Sequence, residues 1–108
     1  MRLLASALLC FILFSCGDKG VKKILKVSGN CEMCKKTIES SLSNINGLNS
    51  CDWNVETKQL TVFIDTNQTD LSVVSEAISS VGYDNELSVA NDSVYSNLHY
   101  CCQYNREK

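Results

Sequence analysis

Ser28-Gly29-Asn30-Cys31-Glu32-Met33-Cys34-Lys35-Lys36 is the stretch whose reading decides the fold: a glycine turn runs into two cysteines spaced C-x-x-C at the start of a helical pattern. Ahead of it, Ile24 to Val27 reads as a strand. Behind it, Cys34, Ile38, Leu42 and Ile45 recur at i, i+4, i+8 and i+11, the period of one helix face. This places Cys31 in the loop or N-cap and Cys34 in the first turn. A helix start carries free backbone N–H groups and the positive end of the helix dipole, and both favour thiolate over thiol. Two thiolates so placed can converge on one soft ion. Cysteine and methionine suit Cu(I), Zn(II) and other thiophilic metals, and no carboxylate or histidine cluster stands beside them for a hard cation. Met33, between the sulfurs, reads first as an adaptable packing side chain and second as a weak third ligand.

Working outward, the apolar periodicity spells β-α-β-β-α-β. Asn46-Gly47 is expected to cap the first helix. A second strand alternates Cys51, Trp53 and Val55, a turn spans Glu56 to Gln59, and a third strand alternates Leu60, Val62 and Ile64. Thr69 or Asp70 caps a second helix with Leu71, Val74, Ile78 and Val81 on one face, stopped by Gly82. A last strand is expected from about Glu86 to Val89. The expected fold class is α+β, a ferredoxin-like sandwich with two helices on one face of a four-stranded antiparallel sheet, over residues 21–90. Cys51 falls on the inward phase of its strand, where free cysteine is an ordinary small hydrophobe, so it reads as core and not as a ligand.

Residues 22 to 87 resemble a heavy-metal-associated domain, the small metal-carrying module of copper chaperones, of the N-terminal arms of metal-exporting P-type ATPases and of periplasmic mercury-binding proteins. The matching features are V-x-G-x-C-x-x-C at Val27 to Cys34, Asn46-Gly47-Leu48, Glu56-Thr57-Lys58, and the stretch from Ala77 to Asp84. The family loop usually reads G-M-x-C-x-x-C; here Gly29-Asn30-Cys31 is one residue shorter, and the nearest methionine, Met33, lies inside the pair. The resemblance implies the same ferredoxin-like fold and a carrier, not an enzyme. It also implies Cys31 and Cys34 as metal ligands, with Cu(I) first and Zn(II) or Hg(II) as alternatives, and a metal-transporting ATPase or efflux protein as partner.

The chain ends hold two further elements. Arg2 precedes an apolar run from Leu3 to Phe14, too short to span a bilayer, which reads as a signal peptide over residues 1–15. Leu13-Phe14-Ser15-Cys16 resembles a bacterial lipobox, with ordinary secretory cleavage as the alternative. Acylation at Cys16 would make an exported lipoprotein, held at the membrane by lipid and facing the periplasm or cell surface, with residues 16–20 as tether. At the other end, residues 91–108 form a Cys- and His-containing tail. Val94, Leu98, Cys101 and Cys102 fall on one helical edge with Asp92 as N-cap, and Tyr95, His99 and Cys102 share a second stripe. His99, Cys101 and Cys102 are therefore additional candidate metal ligands, against the plainer reading that the apolar edge docks and His99 faces solvent.

Charge and composition exclude other classes. The chain has 10 Lys/Arg and 12 Asp/Glu; loss of Arg2 with the leader leaves nine against twelve, which argues against nucleic acid. Lys22, Lys23, Lys26, Lys35 and Lys36 flank the cysteine loop, either as a solvated face or as a rim that favours thiolates and steers an acidic partner. A thiol-disulfide oxidoreductase could use the same C-x-x-C, but the chain has no proline, and the thioredoxin-like enzymes place a cis-proline beside their disulfide. A structural lipoprotein stapled by disulfides is the remaining alternative. No phosphate loop and no carboxylate pair with a base is present, and there is a single histidine, so hydrolytic and phosphoryl-transfer chemistry have no support. The lipobox carries its own test: Cys16→Ser should release the protein from the membrane fraction or stall it uncleaved there, whereas unchanged mature mass and partition would rule out the anchor.

Overall fold

The computed structural model describes residues 20–106. The expected leader over 1–15, the acylated Cys16 and all of the tether but Gly20 lie outside the described residues. Among the described residues no helix is long and apolar enough to cross a membrane. The elements are β1 (Val21–Lys26), α1 (Glu32–Ser40), β2 (Leu48–Trp53), β3 (Gln59–Ile64), α2 (Leu71–Ser80) and α3 (Asp92–Ser96), followed by a 3-10 turn at Tyr100–Cys102.

β3 is the central strand of a three-stranded antiparallel sheet of order β1-β3-β2, with Leu25 opposite Leu60 and Trp53 opposite Leu60 from the other side. Its inward residues Leu60, Val62 and Ile64 are fully buried, as their alternation requires. Ile38 and Leu42 from the α1 segment and Val74 and Ile78 from α2 join them in one core. α2 starts where the sequence places it: the Asp70 carboxylate accepts from the amides of Ser72 (2.9 Å) and Val73 (3.3 Å). Cys51 is half-buried against the core, as its strand phase implies.

Three expectations are corrected. α1 ends at Ser40, well before Asn46-Gly47; Gly47, at φ +95°, instead turns the chain into β2, and its carbonyl accepts from the Asp65 amide at 2.8 Å. The fourth strand is not formed. Residues 85–88 make a tight turn in which Asn85 Oδ1 accepts from the amides of Leu87 (3.1 Å) and Ser88 (3.2 Å) and from Ser75 Oγ (2.6 Å). A side chain that satisfies its own local backbone in this way competes with a sheet ladder, and here the turn wins. What remains of the expected pairing is confined to the end of β1, where the Val27–Asn85 bridge is joined by the Ser28 amide on the Asp84 carbonyl (2.9 Å) and the Glu86 amide on the Lys26 carbonyl (3.1 Å); β1 is still an edge strand of the three-stranded sheet.

The third correction is the tail, which is not one helix. Asn91, not Asp92, is the N-cap, accepting from the Ser93 amide at 2.9 Å, and α3 stops at Ser96. The chain then breaks at His99, in extended conformation, before the 3-10 turn. The break lets the tail enter the core instead of lying along it. Cys102 and Tyr104 are buried, and Tyr104 Oη donates to the Gly82 carbonyl (2.8 Å) and accepts from the Asp84 amide (2.9 Å). Its ring stacks on Tyr83 at 5.7 Å and meets Tyr95 edge-on at 5.0 Å. Arg106 closes the arrangement: it donates twice to the Asp84 carboxylate (2.9 and 2.8 Å), once to Asp92 (2.9 Å) and once to the Ala90 carbonyl (2.8 Å). With its side chain 9 % exposed, this bidentate pair is screened less than a surface one. Arg106→Ala should lower unfolding stability by about 2 kcal/mol, read by urea denaturation of the full chain; a change below about 0.5 kcal/mol would show the latch to be energetically idle.

Candidate metal centre

The cysteine loop is shaped by what lies beneath it. Val27 leaves β1 with its amide donating to the Lys58 carbonyl, and the Ser28 amide donates to the Asp84 carbonyl, each at 2.9 Å. Gly29 then passes over the indole of Trp53. A Cβ at Gly29 would lie 2.8 Å from Trp53 Cη2 and 3.3 Å from Cys34 Cβ, so the close approach itself requires glycine. Asn30 follows, and in the shortened loop its side chain reaches the tail, with Nδ2 donating to the Cys101 carbonyl at 3.1 Å. Cys31 is the extended N-cap residue of α1 and Cys34 lies in its first turn, as the spacing predicts.

The sulfurs of Cys31 and Cys34 are 4.0 Å apart. The tail brings two more to the same place: the sulfurs of Cys31, Cys101 and Cys102 all lie within 4.8 Å of one another. The Cys31 thiol also faces the Cys101 carbonyl at 3.9 Å, and Cys101 Sγ is 3.6 Å from Met33 Sδ. Met33 is thus at the outer rim of the cluster, 45 % exposed. His99 is not brought in: it is exposed, its Nδ1 accepts from the Cys101 amide at 3.5 Å, and its ring sits against Tyr100. Lys35 is withdrawn from the expected basic rim, bound to Glu39 and Asp52 at 2.9 Å each and to the Trp53 carbonyl at 2.7 Å. Lys22, Lys23, Lys26 and Lys36 remain exposed.

Two residues of the site carry little signal in the sequence. Asn30 has none beyond its place in the short loop. Tyr83, directly after the Gly82 stop, sits in the apolar position that often follows a helix-ending glycine, and it is fully buried. Its Oη has no hydrogen-bond partner at bonding distance, yet the thiols of Cys34 and Cys102 lie near enough to push its ionisation up, an effect led by burial.

The two cysteines of the loop differ electrically. No conventional capping bond forms at Cys31, but the Cys34 amide lowers its pKa, helped by the Met33 amide and opposed by partial burial. Cys34 is fully buried, and desolvation raises its pKa above the ordinary thiol value although the amides of Asn30 and Cys31 act against it; the Asn30 amide donates to the sulfur at 3.3 Å. Thiolate forms as pH rises through the pKa, so Cys31 should reach it at lower pH than Cys34. Iodoacetamide titrated against the reduced chain from mildly acid pH upward should modify Cys31 first, as read by peptide mass spectrometry. Earlier labelling of Cys34 would reverse this assignment.

Comparison with known proteins agrees with this geometry. The heavy-metal-associated domain model matches residues 24–84. A copper chaperone, CopZ, from Staphylococcus aureus is 41 % identical over 64 residues, covering 58 % of this chain and 94 % of its own. Among solved structures, a CopZ metallochaperone is 40 % identical with TM-score 0.57, over 59 % of this chain and 97 % of its own. The yeast copper transporter domain Ccc2a is 31 % identical with TM-score 0.57, over 62 % and 93 %. The matched region takes in the cysteine loop and both main helices but leaves out α3 and the tail sulfurs, and on it the chain belongs to the heavy-metal-associated domain family.

Proposed function

We propose that this protein carries Cu(I) as cargo on Cys31 and Cys34 and passes it to a partner by thiolate exchange. The observation that carries the reading is the pair itself: two sulfurs 4.0 Å apart at a helix start, one with a lowered pKa, in a loop held by Trp53. The copper-chaperone relatives and the copper-binding domain of a P-type ATPase among the structural neighbours support Cu(I) over Zn(II) or Hg(II), and support a metal-transporting ATPase as the receiving partner. On binding, each ligating thiol releases its proton and the ion keeps its charge state. Exchange begins when a partner thiolate adds to the bound ion and ends when a Cys of this chain leaves. The lower pKa of Cys31 suits it to capture the ion first, with the buried Cys34 closing behind it. We further propose that the lipidated Cys16 holds the carrier at a membrane on the exported side, a reading that rests on the lipobox alone.

Removing both sulfurs tests the assignment. The Cys31→Ser/Cys34→Ser chain should keep its fold by circular dichroism and bind Cu(I) weaker by roughly a hundredfold or more, about 3 kcal/mol, in competition with a Cu(I) chelator. Undiminished affinity would overturn it.

A further inference from the structure

The tail sulfurs lie outside residues 24–84, the stretch that matches the family model, and their geometry assigns them a part in the site. We propose that Cys102 supplies a third thiolate to the ion held by Cys31 and Cys34, so that this chain binds Cu(I) in three-coordinate form where a two-sulfur carrier leaves the third position to its partner. The inference rests on the copper reading above and deepens it.

Three observations carry it. The first is distance. With metal–sulfur bonds of about 2.3 Å, two sulfurs in line with the ion stand about 4.6 Å apart and two corners of a trigonal site about 4.0 Å. Cys31 and Cys34 are 4.0 Å apart, the trigonal spacing, Cys102 Sγ lies within 4.8 Å of Cys31 Sγ, and Cys34 and Cys102 belong to one buried cluster. The second is the buried Tyr83 hydroxyl, which has no partner at bonding distance and sits beside Cys34 and Cys102. A buried O–H donor without an acceptor is costly, and charge on either sulfur supplies one. The third is rigidity. Cys102 is 2 % exposed and is fixed between the Asn30–Cys101 hydrogen bond on one side and the Tyr104 and Arg106 contacts on the other. A sulfur held this way is already in place before the ion arrives, which lowers the entropy that a third ligand would otherwise lose. Cys101 Sγ lies as near, within 4.8 Å of both Cys31 and Cys102, but it is half-exposed beside Met33, and the third position is therefore assigned to the buried Cys102.

The step balances without a redox partner: Cu(I) remains Cu(I), and the three thiols give up three protons to solvent or to the Cu(I) donor. The test uses the reduced full chain loaded anaerobically with one equivalent of Cu(I), beside Cys102→Ser, Cys102→Ala and Cys101→Ser. X-ray absorption should give three sulfurs around copper in the wild type and in Cys101→Ser, and two in both Cys102 variants. Chelator competition should show affinity lower by roughly tenfold in the Cys102 variants only. Two variants of different polarity at Cys102, each checked for unchanged helical content, separate ligand loss from misfolding. Two sulfurs in the wild type, three retained in the Cys102 variants, or a loss confined to Cys101→Ser would each overturn the proposal and leave the two-cysteine carrier standing. A wild type that binds no Cu(I) would overturn both.

Discussion

The indole of Trp53 is the constraint on which the rest of the structure depends. Fully buried, it donates from Nε1 to the Val27 carbonyl at 3.1 Å, where β1 ends. Its backbone amide donates to the Glu39 carboxylate at 2.8 Å, and its carbonyl accepts from Lys35, which ties β2 to α1. Its ring edge leaves room for glycine alone at position 29. One side chain thereby sets the end of the strand, the height of the cysteine loop and the position of the helix that carries Cys34. The polar contacts are local and modest, about 1 kcal/mol each, and burial of the ring stabilises the fold by more than any one of them.

The loop that rests on Trp53 divides labour between its sulfurs. Burial and amide donation act in opposite directions on a thiol, and which one prevails differs three residues apart. At Cys31 the helix-start amides prevail; at Cys34 desolvation does. The tail deepens this asymmetry, because docking of Cys102 and Tyr104 is part of what excludes water around Cys34.

The parts of this molecule legible in its sequence are those governed by periodicity and by a local cap. Leu60, Val62 and Ile64 alternate into the core, Asp70 starts α2, and Cys31 and Cys34 stand at a helix start, all as their spacing dictates. Periodicity fails where a side chain satisfies its own backbone better than a regular ladder would: Asn85 folds the expected fourth strand into a turn, and Asn91 with the break at His99 splits the expected tail helix. The convergence of Cys101 and Cys102 on Cys31 is legible only as a question, since helical stripes say which residues share an edge and not where the edge docks. What settles it is Arg106 on Asp84 and Tyr104 under Gly82, contacts 22 residues apart in the chain that no local pattern announces.

The contact between Cys31 and Cys101 spans 70 residues, and it has a consequence for the order in which the protein is made. α1 and its two cysteines emerge from the ribosome some 70 residues ahead of the tail that completes the sulfur cluster. Loop closure over such a separation is slow compared with helix formation. A nascent or truncated chain that lacks the tail therefore presents Cys31 and Cys34 as an open dithiol, and the enclosed cluster exists only once Cys101 and Cys102 have joined it.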